Sequence, residues 1–182
     1  IISVAAGITL DQLQKTEPQQ ALNTTFVRLM PNTPAQIGEG MIALSVSDTS
    51  KDDEVANQVK ALLAEAGITE QVPETLMNAV TAISGSGPAY VYMFIEALAD
   101  AAVAFGMPRA KAYTFAAQTV KGSAEMVIKS DLHPGVLKDA VCSPAGTTIA
   151  AVEALESAGL RSAVQKGARA AFEKSCEMSK KS

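Results

Sequence analysis

The sequence predicts two unlike pieces in one chain, a short α/β piece followed by a longer all-helical one. Two observations carry this reading. Up to residue 72, β-branched and aromatic runs alternate with helical patterning in the order strand, helix, strand, strand, helix, strand. After Pro73 alanine dominates, the β-branched runs disappear, and Gly and Pro recur at helix-length intervals. The boundary is therefore placed there, giving 1–72 and 73–182 as the two domains. No internal repeat and no low-complexity segment interrupts them.

Residues 2–6 read as a strand that stops at Gly7, and Thr9 and Asp11 start a short helix that runs to Lys15. Phe26-Val27-Arg28-Leu29-Met30 reads as the second strand. Pro31-Asn32-Thr33-Pro34 stops it, two prolines making a stiff, turned loop at the strand's carboxyl end. Met41-Ile42-Ala43-Leu44-Ser45-Val46 is the third strand. Ser50 or Asp48 caps a helix over 51–65, whose Val55, Val59, Leu62 and Leu63 fall at helical spacing. Gly67 ends it, and Ile68-Thr69-Glu70-Gln71-Val72 is the fourth strand. Helices follow over 74–82, 88–105, 108–129, 134–141, 147–158 and 160–179, broken at Gly106-Met107-Pro108, at residues 131–135 and at Gly159. Pro108 and Pro134 fit first-turn positions, where a missing N–H costs little.

Composition narrows the function classes. Apolar residues at 48% and charged residues at 19% exclude intrinsic disorder. Twelve Gly and eight Pro are an ordinary load and exclude a collagen-like chain. A net charge of −4 favours neither nucleic acid nor an anionic membrane as partner. Two cysteines, Cys142 and Cys176, are too few for a disulfide framework and stand in no C-x-x-C pair. With one His, no metal site is expected. No basic segment with a cleavage site is present, and the protein is read as cytoplasmic. The chain opens Ile1-Ile2-Ser3-Val4-Ala5-Ala6-Gly7, without Met and inside an apolar run, which reads as the interior of a fold.

The longest uncharged stretch, 75–95, could span a bilayer by length. Asn78 and the run from Ser84 to Pro88 interrupt it, so it reads as two buried pieces around a break. Between Ala89 and Phe105 the only charges are Glu96 and Asp100, four apart and on one face. A helix this apolar is expected to be buried nearly all round, and in a helical piece of this size that burial calls for a second chain.

Three motifs could carry chemistry. Ser143-Pro144-Ala145-Gly146-Thr147-Thr148 runs into a helix whose first N–H groups and dipole favour an anion. Ordinary N-capping explains the same residues. Ser84-Gly85-Ser86-Gly87-Pro88-Ala89-Tyr90 has the outline of a dinucleotide fingerprint. It lacks the third small residue and the preceding strand, so it reads as a close helix–helix crossing with Pro88 opening a helix. Met30-Pro31-Asn32-Thr33-Pro34 lies at a strand's carboxyl end, as do Ala5, Ala6 and Gly7; small residues at neighbouring strand ends leave room for a flat ring or a sugar. Plain turns are the alternative. Glu74 is favoured at a helix start by the dipole alone, and His133 in its Leu-His-Pro-Gly turn reads as a capping or surface residue.

Taken in order, three segments resemble the pyrroline-5-carboxylate reductase family. They are Val27-Arg28-Leu29-Met30-Pro31-Asn32-Thr33-Pro34-Ala35, then Ser84-Gly85-Ser86-Gly87-Pro88-Ala89-Tyr90, then the run from His133-Pro134-Gly135 through Lys138-Asp139 to Ser143-Pro144-x-Gly146-Thr147-Thr148. The resemblance covers essentially the whole chain. It implies part of a Rossmann domain, without its glycine-rich phosphate loop, followed by an all-α dimerisation domain of the kind found at the C-terminus of 6-phosphogluconate dehydrogenase. It implies reduction of 1-pyrroline-5-carboxylate to L-proline with NADPH or NADH, the last step of proline biosynthesis. It also implies a homodimer through the helical domains, with larger rings built from dimers.

The resemblance assigns Glu74, Ser143, Gly146, Thr147 and Thr148 to the substrate, and Val4, Ala5, Ala6 and Asn32 to the cofactor. Thr148 is its catalytic residue, placed to hydrogen-bond the ring nitrogen. A hydroxyl is a weak acid, so orientation and a water relay are expected to matter more than direct protonation. Two departures stand out. Ala145 replaces the first glycine of the family's Ser-Pro-Gly-Gly, which strains the loop if that residue needs φ > 0. Ala140 stands where some members have Asn, removing any cofactor contact by that side chain. Without the phosphate loop, this chain by itself is expected to be a nearly inactive dimerisation module. A related imine or β-hydroxyacid reductase is disfavoured, since such enzymes place a Lys on the long central helix and none occurs between Ala89 and Phe105.

Overall fold

The computed structural model describes residues 1–16, 24–47 and 52–181. They form two compact units, one of Ile1–Pro88 with Lys166–Ser182 and one of Ala89–Gln165. The divisions between them fall inside two helices, α4 (Gly87–Ala104) and α8 (Leu160–Lys181).

The first unit is built on a four-stranded sheet in the order β1 (Ile2–Ser3), β2 (Val27–Met30), β3 (Gly40–Val46), β4 (Gly67–Gln71). β1 runs parallel to β2, β3 antiparallel to β2, and β4 parallel to β3. α1 (Leu10–Thr16) follows β1, and α2 (Asp52–Leu62) joins β3 to β4. Alternation decides which side chains point where. Val27 and Leu29 of β2 and Ile42 and Leu44 of β3 share one face and pack with Ala56 and Val59 of α2. Each large apolar side chain sealed there contributes about 1.5–3 kcal/mol. The intervening residues of β2, Arg28 and Met30, face the segment that follows β4. The helix expected over 74–82 is a 3-10 turn at Glu74–Leu76, one turn of α3 (Met77–Val80) and a π-helical turn at Thr81–Gly85. The end of α8 belongs to this unit, where Ser175 and Ser179 both donate to Asn78 Oδ1, at 2.9 and 3.1 Å.

Three other expectations are revised. The first strand covers Ile2–Ser3 rather than 2–6, because the Ala5 N–H turns back onto Ser3 Oγ at 3.3 Å. α2 ends at Leu62, with a 3-10 turn over Ala64–Ala66 taking the rest of the expected helix; its proposed caps, Asp48 and Ser50, lie outside the described residues. Pro108 is the N-cap of the next helix with extended ψ 136, one position before the first turn, whereas Pro134 does open its helix.

The second unit holds the body of α4, α5 (Arg109–Ser130), α6 (Pro134–Ala140), α7 (Thr147–Ser157) and the start of α8. Its core is small: Ala99, Ala112 and Ala116 are buried, with Ile95, Ala102, Val103 and Met107 packed around them. Alanines at the crossing let α4 and α5 approach closely. Arg109 pairs with Asp100 and lies over the Tyr113 ring, 5.7 Å from its centroid, fastening the start of α5 to α4. The expectation that α4 is buried nearly all round fails in the single chain. Ala99 is its one buried residue, while Tyr92, Met93 (70% exposed), Phe94 and Leu98 face outward. The helical unit contains too few elements to wrap a helix on every side. Among the described residues, no helix is long and apolar enough to cross a membrane.

Candidate active site

In the first unit, the parallel pairing of β1 with β2 brings their carboxyl ends to the same end of the sheet. Val4, Ala5 and Ala6 leave β1 exposed, Val4 at 64%, and form an apolar shelf with small side chains. Beside it, Asn32 is held in extended conformation, φ −127 and ψ 168, and opens a 3-10 turn over Thr33–Ile37. Both ends of its amide are engaged. Nδ2 donates to the Ser84 carbonyl at 3.1 Å, and Oδ1 accepts the Met41 N–H at 3.0 Å. One residue further, Gly85 lies against Met30: a Cβ there would stand 2.6 Å from the Met30 methyl. The glycine of Ser84-Gly85-Ser86-Gly87 thus makes room for the end of a strand, which corrects the helix–helix crossing read from sequence. A Cβ on Gly87 would meet nothing within 4 Å.

Four positions back from Asn32, Arg28 of β2 meets Glu74, which follows β4. Its Oε1 accepts the Arg28 guanidinium at 3.0 Å and the Leu10 N–H at 2.7 Å. Arg28 is 4% exposed, and a buried cation requires such a partner. The sequence held the signal, one charge in an otherwise apolar strand, but neither the pair nor its role as a clamp was read from it. Glu74 also lines a cleft of about 540 Å³ with Leu10, Asp11, Gln14, Ser45 and Gln71.

The second unit carries the run 143–148. The backbone closes a turn with the Gly146 N–H on the Ser143 carbonyl at 3.0 Å. Ala145 takes φ 54, the left-handed region, so the strain expected from the missing glycine is present. Gly146 is the N-cap of α7 at φ −82 and ψ 170. A Cβ on it would stand 2.4 Å from Ser143 Oγ and 3.0 Å from the Ser143 carbonyl. No side chain caps α7, which leaves the N–H groups at its start directed outward with the positive end of the helix dipole. Thr147 is exposed there and Thr148 half-buried. Nearby in sequence, His133 does cap α6, its Nδ1 accepting the Gly135 N–H at 3.0 Å. Cys142 and Cys176 are free and half-buried. Among the described residues, no cluster of His, Cys, Asp and Glu could hold a metal ion.

Val4, Ala5, Ala6, Asn32 and Glu74 thus lie in the first unit, and Ser143, Gly146, Thr147 and Thr148 in the second. A family model, pyrroline-5-carboxylate reductase dimerisation, matches residues 74–178. A pyrroline-5-carboxylate reductase of Synechocystis is 48% identical over 100% of this chain and 66% of its own length. One of Escherichia coli is 47% identical over 99% of this chain and 65% of its own. The chain thus spans just under two thirds of the length of these relatives. Among solved structures, a pyrroline-5-carboxylate reductase from Coxiella burnetii superposes with a TM-score of 0.90 at 33% identity, over 98% of this chain and 65% of that one. A pyrroline carboxylate reductase from Plasmodium falciparum, solved with NADP bound, gives 0.85 at 38% identity, over 98% and 71%. The strand-end loop, the glycine turn and the run that opens α7 therefore stand in a chain of Rossmann-type and helical parts that belongs to the pyrroline-5-carboxylate reductase family.

Proposed function

We propose that the protein reduces 1-pyrroline-5-carboxylate to L-proline with NADPH or NADH, completing proline biosynthesis in the cytoplasm. The observation that carries this is the agreement of relatives named for that activity over the whole chain, at 48% and 47% identity. The geometry is compatible with it in both units. The exposed shelf of Val4, Ala5 and Ala6 beside the loop at Asn32 suits a flat nicotinamide and its ribose. The cofactor, when bound, supplies a hydride to the imine carbon.

The remaining tasks fall to side chains and backbone of this chain. The start of α7, with Ser143, Gly146, Thr147 and Thr148, holds the substrate carboxylate by uncapped N–H groups and hydroxyls. Thr148 orients the ring nitrogen, which must carry a proton for its carbon to accept a hydride; water completes the proton path. Glu74, whose observed bonds to Arg28 and Leu10 fall on Oε1, would meet the substrate through its other carboxylate oxygen. No metal and no nucleic acid enter this scheme.

The division of labour lies near residue 73, with the cofactor side in 1–72 and the dimerisation and substrate domain in 73–182. The family model beginning at residue 74 supports it. The exposed apolar face of α4 supports a homodimer through the helical domains, and dimers build larger rings. The test is a spectrophotometric assay of the full-length protein for imine-dependent oxidation of NADPH, with proline identified as product. Thr148→Ala should lower kcat/KM by about 10²-fold, the scale of one lost acid–base or orienting group. Absence of turnover in the wild type would remove the reading, and unchanged kinetics in the variant would remove Thr148 from it.

A further inference from the structure

Two sequence motifs far apart in the chain meet at one hydrogen bond, and neither explains itself alone. In a regular α-helix the Ser84 carbonyl would receive the N–H of residue 88. Residue 88 is proline and has none. The carbonyl is met instead by Asn32 Nδ2 at 3.1 Å, reaching across from the loop after β2. The π-helical turn over Thr81–Gly85 has the same setting. Its Ser86 N–H bonds the Thr81 carbonyl at 2.8 Å, Thr81 Oγ1 donates to Met77 O, and Ser84 Oγ donates to Val80 O. A π-turn displaces backbone groups from the regular ladder and is common at functional sites. The other end of the same amide accepts the Met41 N–H at 3.0 Å. Gly85 packs beside the joint, where a Cβ would stand 2.6 Å from the methyl at the end of the flexible Met30 side chain.

We infer that Asn32 is a positioning residue: its amide locks the loop 31–34 to the π-turn 81–85 and so fixes the height and angle of the strand-end loop beside Val4, Ala5 and Ala6. One amide N–H and one lone pair of Oδ1 are held inside the protein, so the joint sets the plane of the Asn32 amide and with it the course of the loop. This rests on the reading of the first unit as the cofactor side. The joint itself does not.

The test therefore has two readouts on the full-length protein. The first needs no cofactor. Hydrogen–deuterium exchange of the peptide containing Met41 should speed at least tenfold at that amide in Asn32→Ala, because its acceptor is gone. Unchanged exchange overturns the joint.

The second is cofactor binding, followed by quenching of protein fluorescence or by the cofactor KM. Asn32→Ala and Gly85→Leu, whose side chain is too large for a shift of the Met30 methyl to absorb, should each raise the dissociation constant for NADPH, by about tenfold for a lost buried bond. The KM of the imine should change less than twofold. Because both substitutions break one joint, the double variant should be no more than about twofold worse than the weaker single variant. Additive losses, or a Gly85→Leu protein with unchanged cofactor affinity, overturn the positioning role and return Asn32 to direct contact. Met30→Ala, which empties the same contact without a clash, replaces Gly85→Leu if that variant fails to fold. Faster exchange at Met41 in Asn32→Ala, together with a wild type that binds no nicotinamide cofactor, would leave the joint standing and remove the functional reading beneath it.

Discussion

Ala145 shows how much one methyl group can matter. Its φ of 54 places an L-residue in the left-handed region, where contact between Cβ and the backbone costs about 1–2 kcal/mol. The turn it serves sets Gly146 against Ser143 and opens α7. Glycine at 145 removes that strain and returns part of the gain as unfolded-state entropy. Ala145→Gly should therefore stabilise the protein by about 1 kcal/mol, a rise in thermal midpoint of about 2–4 °C, measured by calorimetry. A fall in the midpoint would show that the turn gains from the methyl something that the strain does not outweigh. The residue's position in the motif was enough to raise the question of strain; only the backbone angle answers it.

Arg28 and Glu74 belong to the scale of elements, because their contact joins three of them. Glu74 starts the segment after β4, Arg28 lies in β2, and the Leu10 N–H opens α1. One carboxylate oxygen therefore neutralises a buried cation and caps a helix. Removing it leaves a guanidinium with 5% side-chain exposure unpaired. Glu74→Ala is expected to cost about 3 kcal/mol in chemical denaturation. Glu74→Gln keeps an acceptor for both donors and should cost about 1 kcal/mol. Equal losses for the two would show that charge, not hydrogen bonding, holds the clamp. Ion pairs at the surface behave differently. Lys129 holds Glu125 below the ordinary carboxylate range, mainly through a side-chain hydrogen bond. A lowered folded-state pKa contributes stability above the ordinary value that is lost as pH falls through the lowered one. Both side chains are well exposed, and salt screens the pair. Glu125→Gln should leave the thermal midpoint at neutral pH within about 1 °C.

At the scale of the whole molecule, apolar surface is distributed unevenly. The sheet unit buries Phe26, Ile42, Leu44 and Met77 almost completely, whereas the helical unit buries only alanines. Phe94, Phe105 (86% exposed) and Phe115 remain on the outside of the helical unit. A further apolar cleft of about 460 Å³ between α6, α7 and α8 is lined by Val152, Leu155, Leu160 and Val164. Exposed area of this extent is rare on a monomer and suits a second copy of the same helices. Sedimentation at micromolar concentration should show a dimer. Phe94→Asp, placing a charge on the exposed face of α4, should shift it to monomer and weaken dimerisation by at least tenfold. A wild type that sediments as a monomer would remove the dimer.

The sequence by itself determined the order and type of nearly every element, since periodicity, prolines and glycines are local signals read over a few residues. It determined the family too, because three motifs in fixed order are specific when taken together. It also placed the helix start at 147 and the capping role of His133, which depend on neighbours in the chain, whereas the N-capping hydroxyl that the run 143–148 offers is not used. What it did not decide were contacts between residues tens of positions apart. The clamp of Arg28 on Glu74, the lock of Asn32 on Ser84, the fit of Gly85 to Met30 and the hydroxyls of α8 on Asn78 each need two segments brought together by the tertiary fold. The length of the first strand likewise followed from a side chain that diverts its own backbone. Whether α4 is covered was beyond both sequence pattern and single-chain fold: its composition demands burial, and one chain offers too few neighbours to provide it. Local backbone chemistry fixes elements, but only packing decides which polar groups are spent inside the protein and which are left to meet a ligand.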